Sequence, residues 1–166
     1  RQEGHAFTDA RFHAWFAGLV PLSDEPLQFA LAPRALVTTL LAEICDADIR
    51  LRDHTSRALR ECVMALLVAF DRYRAYIVPG EVPSQTSERV MAEAAERARA
   101  ELDEERHQTL EVVVDLLLGH EAGSSGRVAE PRRSELIIRF QQVCGAVMAK
   151  GVEDTAFYRW THLVSL

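Results

Sequence analysis

The densest chemistry in the sequence lies near its C-terminus, over Lys150-Gly151-Val152-Glu153-Asp154-Thr155-Ala156-Phe157-Tyr158-Arg159-Trp160. A short apolar stretch, Ala146–Ala149, runs into this segment, and two adjacent acids are followed by three aromatic rings and an arginine. Carboxylates beside rings suit a sugar, because rings cover its apolar faces while charged groups bind its hydroxyls. The ends of buried strands are where barrel enzymes place such groups. The same residues also suit a helix N-terminus, with acids complementing the dipole and Phe157 and Trp160 packed in a core. Residue types alone leave both readings open.

Other constellations are poorer. Arg74 and Tyr76, within Tyr73-Arg74-Ala75-Tyr76, would either touch sugar at a pocket rim or belong to an amphipathic strand packed on helices. Glu104, His107 and Glu111 share one helix face, but a di-metal carboxylate bundle uses the Glu-x-x-His motif twice and the sequence holds one, which favours a solvated, salt-bridged face. His54 follows Asp53, yet neighbouring helix positions point apart, so capping is the better role for that pair. No Gly-rich phosphate loop, zinc-ligand spacing or nucleophile elbow is present, and neither a metal nor a cofactor is expected.

The elements that must position these groups read mostly as helices. Thr8 caps a short one that stops at Gly18. Pro21 to Pro33 reads as a connector with three prolines, and Pro33 suits the first turn of a helix carrying Leu36, Val37, Leu40, Leu41 and Ile44. Asp53 or Thr55 caps a third helix with Leu59, Cys62, Val63, Leu66, Leu67 and Phe70 on one face. Tyr73 to Val78 reads as extended chain closed by Pro79-Gly80. A helix starts near Ser84–Ser87 and runs through an Ala/Glu/Arg-rich stretch to about Glu105, and another covers Thr109 to Leu118 and ends at Gly119. His120 to Arg133, with Gly-Ser-Ser-Gly, reads as a loop. A last helix starts at Pro131 or Ser134, runs to about Val143 and ends at Gly145, and residues 146–150 suit a short buried strand as well as a helix. The expectation is a mainly α chain of about six helices with one strand-like segment.

Composition sets the outer limits. A chain of 166 residues with 48% apolar and 27% charged residues is one globular domain with a real core. The longest apolar run, Cys62–Phe70, is nine residues, against about twenty for a bilayer span. A net charge of -6 argues against non-specific nucleic-acid binding and against anionic membrane surfaces. Cys45, Cys62 and Cys144 form no CxxC, which points to a reducing, cytoplasmic compartment, with Cys62 a small core residue. The chain opens on Arg1 and closes on the apolar Leu163-Val164-Ser165-Leu166, as expected of a piece of a longer protein.

The segment Arg139-Phe140-Gln141-Gln142-Val143-Cys144-Gly145-Ala146-Val147-Met148-Ala149 continuing through Lys150 to Arg159 closely resembles a signature of maltooligosyltrehalose synthases, a branch of the α-amylase-like glycoside hydrolases. The chain departs from that signature at Val143, Cys144, Ala146, Trp160, Thr161 and His162. Arg52-Asp53-His54-Thr55 resembles the family's RDFT, and Phe70 to Tyr76 resembles its FPVYRTY, departing at Asp71, Arg72 and Ala75. Ala35–Glu43 also falls in the expected place. The resemblance implies an isomerase of trehalose biosynthesis, which converts the terminal α-1,4 bond of a maltooligosaccharide to an α,α-1,1 bond. It implies that Asp154 is the transition-state-stabilising carboxylate, that Lys150 and Glu153 line the glucose sites, and that Tyr158 and Arg159 lie nearby. The nucleophile and acid/base carboxylates match nothing in this chain and are expected upstream. Residues 1–132 would then be a multi-helix insertion into an α-amylase-like (β/α)8 barrel and residues 133–166 the return to it, with the rest of the barrel as partner and the isolated chain inactive. The other reading is a stand-alone helical interaction or regulatory module without catalysis.

Overall fold

The computed structural model describes residues 24–120 and 130–149, with side chains over 35–120 and 131–149. Five α-helices make up most of it: α1 Asp24–Ala47, α2 Ser56–Ala69, α3 Gln85–Ala100, α4 His107–Leu118 and α5 Glu130–Met148, with a 3-10 turn at Glu104–Arg106 before α4. The chain is mainly α, as its capped, periodic apolar segments require, and the described residues contain no β-strand. The short helix expected at Thr8–Gly18 lies outside the described residues.

Local chemistry accounts for most boundaries. Thr55 is the N-cap of α2, its hydroxyl accepting from the Ala58 amide at 3.2 Å. Ser84 does the same for α3, accepting from the Ser87 amide at 3.1 Å. Gly119 ends α4 in the left-handed region at φ 77°, where a Cβ would be strained. Four expectations fail. Helix α3 stops at Ala100 rather than near Glu105, and a separate 3-10 turn covers Glu104–Arg106. The proline-containing stretch from Asp24 onward is helix, not connector. Pro26 falls in the first turn, where its missing N–H has no intrahelical acceptor to lose, and the loss at Pro33 is outweighed by the buried Val37–Cys45 face that follows. Helix α5 begins at Glu130, so Arg133 is helical rather than in the loop. It also runs through Gly145 to Met148, so residues 146–148 are helix and not the strand-like segment. A glycine ends a helix only when its neighbours give the carbonyls another partner. Here the chain outside packs against the helix at that point instead: a Cβ built on Gly145 would lie 3.8 Å from the Tyr73 carbonyl oxygen.

Helix α2 is central and touches every other helix, while α1 and α5 make the most extensive pairing. The core runs through Val37, Leu40, Leu41 and Ile44 of α1, Leu59, Leu66 and Leu67 of α2, Met91 of α3, Leu110, Leu116 and Leu117 of α4, and Leu136 and Phe140 of α5. All three cysteines are free and buried within it. Burial pushes the Cys45 and Cys62 thiols up to about 11 and raises Cys144 as well, so none is a thiolate at neutral pH.

A charged joint ties α2 to the start of α4. Glu61 accepts from Arg57 at 2.8 Å and from Arg106 at 2.7 Å. Those hydrogen bonds hold its carboxyl down at about 2. A carboxyl depressed in the folded state contributes stability above its unfolded pKa of about 4.5 and loses it as pH falls toward about 2. Glu61→Gln should therefore lower the unfolding midpoint at neutral pH and flatten the loss of stability between pH 4.5 and 2, measured by thermal denaturation across that range. Gly145→Ala should raise stability by about 0.5–1 kcal/mol, because the position is helical and the new methyl meets only an ordinary contact. A fall in the denaturant midpoint would show that the Tyr73 backbone cannot accommodate it.

Candidate functional site

The connector from Phe70 to Val78 leaves α2 and crosses the surface of α5. Arg97 of α3 fixes its start: Nε donates to the Ala69 carbonyl at 3.0 Å and Nη2 lies 3.4 Å from Asp71. Phe70 then packs edge-on against Phe140 of α5, with ring centroids 5.9 Å apart and planes at 84°. The Tyr73 carbonyl passes over Gly145. Further on, the Gln141 side chain acts as a one-residue strand partner. The Ile77 amide donates to its Oε1 at 3.1 Å, and its Nε2 donates to the Ile77 carbonyl at 2.9 Å. Ala75 and Ile77 are buried by this arrangement. The segment is extended with alternating burial, as expected, but its partner is a side chain and not a sheet.

Between those buried residues stands Tyr76, 75% exposed and at φ 55°. A tyrosine in the left-handed region costs about 1–2 kcal/mol relative to ordinary backbone. Its exposed ring recovers little of that by burial. Arg74 is also exposed, so both sequence-predicted contact residues of the connector face outward on either side of buried Ala75. Lys150, Glu153, Asp154, Tyr158 and Arg159 lie outside the described residues. Helix α5 connects the two sets in the chain: it carries Gln141 and ends at Met148, two residues before Lys150. From Gln141 to Met148 the helix advances by about 10 Å.

The remaining candidates have structural partners. His107 Nε2 lies 3.2 Å from both the Arg99 and Leu102 carbonyls, which binds it to the end of α3, and Glu111 pairs with Arg99. Together with Glu104 they hold no metal cluster: no group of three or more His, Cys, Asp or Glu side chains converges among the described residues. His54 shares a 2.9 Å hydrogen bond with Thr109, joining the loop before α2 to α4, and Thr55, not Asp53, is the cap. Sequence reasoning missed Gln141 as a positioning group. Its signal was present: Arg133, Leu136, Ile137, Phe140 and Cys144 mark the buried face of α5, and Gln141 interrupts that face as a half-buried amide.

Over 38 residues, 23% of this chain, the sequence is 58% identical to a protein named "Putative maltooligosyl trehalose synthase" in each of two Mycobacterium tuberculosis strains, CDC 1551 / Oshkosh and ATCC 25618 / H37Rv. The matched stretch is 5% of either relative's length. No protein-family profile and no solved structure matches the chain. No helix among the described residues is long and apolar enough to cross a membrane.

Gln141→Leu should cost about 1–3 kcal/mol, because it leaves the buried Ile77 amide and carbonyl without partners. It should also increase hydrogen exchange at the Ile77 amide far more than at the helix amides of α2. Uniform loss of protection across the chain would instead indicate general unfolding.

Proposed function

We propose that this chain is part of an intramolecular α-glucan glucosyltransferase that makes a trehalose end from a maltooligosaccharide. Residues 1–132 serve as a helical insertion and residues 133–166 as the return to the catalytic barrel. The observation that carries this reading is the local identity to the mycobacterial relatives, whose name specifies that activity. It is supported by the edge-on packing of Phe70, which opens the Phe70–Tyr76 segment, against Phe140 near the start of the Arg139–Arg159 segment.

In this reading the chemistry is a retaining transfer. A carboxylate elsewhere in the protein attacks the anomeric carbon beside the terminal glucose, the bond to O4 of that glucose breaks, and an acid supplies the proton to O4. The freed glucose turns in place. Its anomeric hydroxyl gives its proton to the same group, now a base, as it attacks the glycosyl-enzyme and releases the carboxylate. Atoms balance with no other reactant, and water must be excluded throughout. Asp154 binds hydroxyls of the sugar that passes through the oxocarbenium-like state. Lys150 and Glu153 hold the glucose, with Tyr158 and Arg159 beside them. Arg74 and Tyr76 contribute an outer wall, which gives a reason for a tyrosine held against its backbone preference.

Asp154→Asn in the full-length enzyme should keep the fold and reduce kcat about 100- to 1,000-fold or more, because the lost charge acts mainly in the transition state. Glu153→Gln should mainly raise hydrolysis relative to trehalose formation. Turnover of maltopentaose with product analysis measures both. Near-normal kcat in Asp154→Asn with an inactive Glu153→Gln would move the catalytic role to Glu153. Tyr76→Gly should leave the unfolding midpoint unchanged or higher while raising KM for maltooligosaccharides. An unchanged KM would remove Tyr76 from the site.

A further inference from the structure

We infer that the aromatic segment Phe12–Phe16 of this chain docks in the groove between α2 and the C-terminal end of α3. The groove is a hollow of about 610 Å³. Its floor is aliphatic, with Met64, Ala65 and Val68 of α2 half-buried beside Ala100 and Leu102. Two ties frame it. Arg97 donates to the Ala69 carbonyl at one end, and Arg106 donates to Glu61 at the other. From Glu61 to Ala69 α2 advances by about 12 Å. That is two turns, the length over which a docked amphipathic helix presents anchors at i, i+3, i+4 and i+7. Small side chains at Ala65, Ala69 and Ala100 leave room there for rings.

The chain carries matching side chains within reach. Phe12, Trp15 and Phe16 have the i, i+3, i+4 spacing of one helical stripe, and Thr8 extends it by a turn. Helices α1 and α2 are joined by a link folded into successive turns, with the Leu51 amide on the Asp48 carbonyl and the His54 amide on the Leu51 carbonyl, so the two pack antiparallel. They have 24 and 14 residues, about 36 and 21 Å. With their joined ends level, α1 starts about 15 Å beyond the Ala69 end of α2. The stretch from Phe16 to Asp24 spans up to about 26 Å. The segment therefore enters at the Ala69–Arg97 end and runs back toward Glu61.

Charge favours the same direction. Asp9 and Arg11 would lie at the far end of the groove. The rim there holds Arg60, beside Glu61, and Glu101, one turn past Arg97, and neither has an ion pair among the described residues. The inference is independent of the proposed activity, because the groove uses none of the residues assigned to the glucan site.

Tryptophan fluorescence and thermal unfolding of the 166-residue chain test the assignment. Trp15 and Trp160 are its two tryptophans, so Trp160→Phe leaves Trp15 as a single probe. Its emission should lie at shorter wavelength than in the unfolded chain and be shielded from acrylamide. Met64→Lys places a charged but helix-compatible side chain in the groove, and should move Trp15 emission to the unfolded wavelength while far-UV helix content is kept. Phe12→Ala should lower the midpoint by about 3–8 °C. Met64→Lys should lower it similarly, and the double variant should lose little more than either alone. Additive losses, or Trp15 emission that Met64→Lys leaves unchanged, would overturn the inference. If Trp160, probed in Trp15→Phe, responds to Met64→Lys in place of Trp15, the occupant is the C-terminal aromatic run and the inference fails. A Trp15 signal that depends on protein concentration, with a dimer in sedimentation, would give the groove to a second copy and overturn it as well.

Discussion

The constraint on which the described structure turns is the crossing of the Phe70–Val78 connector over α5. A chain leaving a helix has backbone groups to satisfy, and a buried connector can do so only against another element. Here each part of the crossing uses a different kind of contact. Phe70 meets Phe140 ring to ring, the Tyr73 carbonyl passes where Gly145 has no side chain, and Ile77 gives both of its polar groups to the Gln141 amide. Together they fix the path between α2 and α3 and present Tyr76 outward in a conformation that an unrestrained tyrosine avoids.

At this crossing α5 continues past its glycine. Gly145 stays helical beside the Tyr73 carbonyl, at a distance that would admit a Cβ as an ordinary contact, and the helix extends to Met148. The residue type is the same one that ends helices elsewhere in the chain, as Gly119 does for α4. The difference lies in backbone conformation: Gly119 takes φ 77°, whereas Gly145 stays helical. Around the crossing, charged side chains act as ties between elements. Arg97 joins α3 to the end of α2, and Arg106 joins the start of α4 to Glu61. The apolar interior supplies the cohesion, while these ties fix where elements begin and leave it.

Arg133 contrasts with the other buried polar groups. Asp48 and Thr109 are enclosed together with their partners, so burial strengthens their hydrogen bonds. Arg133 is enclosed with its Nε and Nη2 unpartnered, in a helix whose other buried residues are apolar. A sequence reader would place an arginine beside Gly/Ser-rich chain in solvent. Spacing places it on the same stripe as Leu136, Ile137 and Phe140, and only the fold shows that the arginine on that stripe is buried.

Sequence by itself determined the helical class, the stop at Gly119, and the apolar faces of α2 and α4, and it narrowed the helix starts to Asp53 or Thr55 and to Ser84–Ser87, because each depends on residues within a turn or two of one another. It also located the family resemblance around Asp154, which follows from residue identities alone. Tertiary structure decided what local rules leave open: that the proline-bearing start of α1 is helical, that α5 passes through Gly145, that His107 and His54 serve as structural ties, and that Gln141 holds Ile77. Two of these depend on partners far along the chain, 64 residues away for Gln141 and Ile77 and 55 for His54 and Thr109. Spacing along a single element carries no record of such a partner, because two folds with the same local pattern can bring different backbone groups to the same side chain.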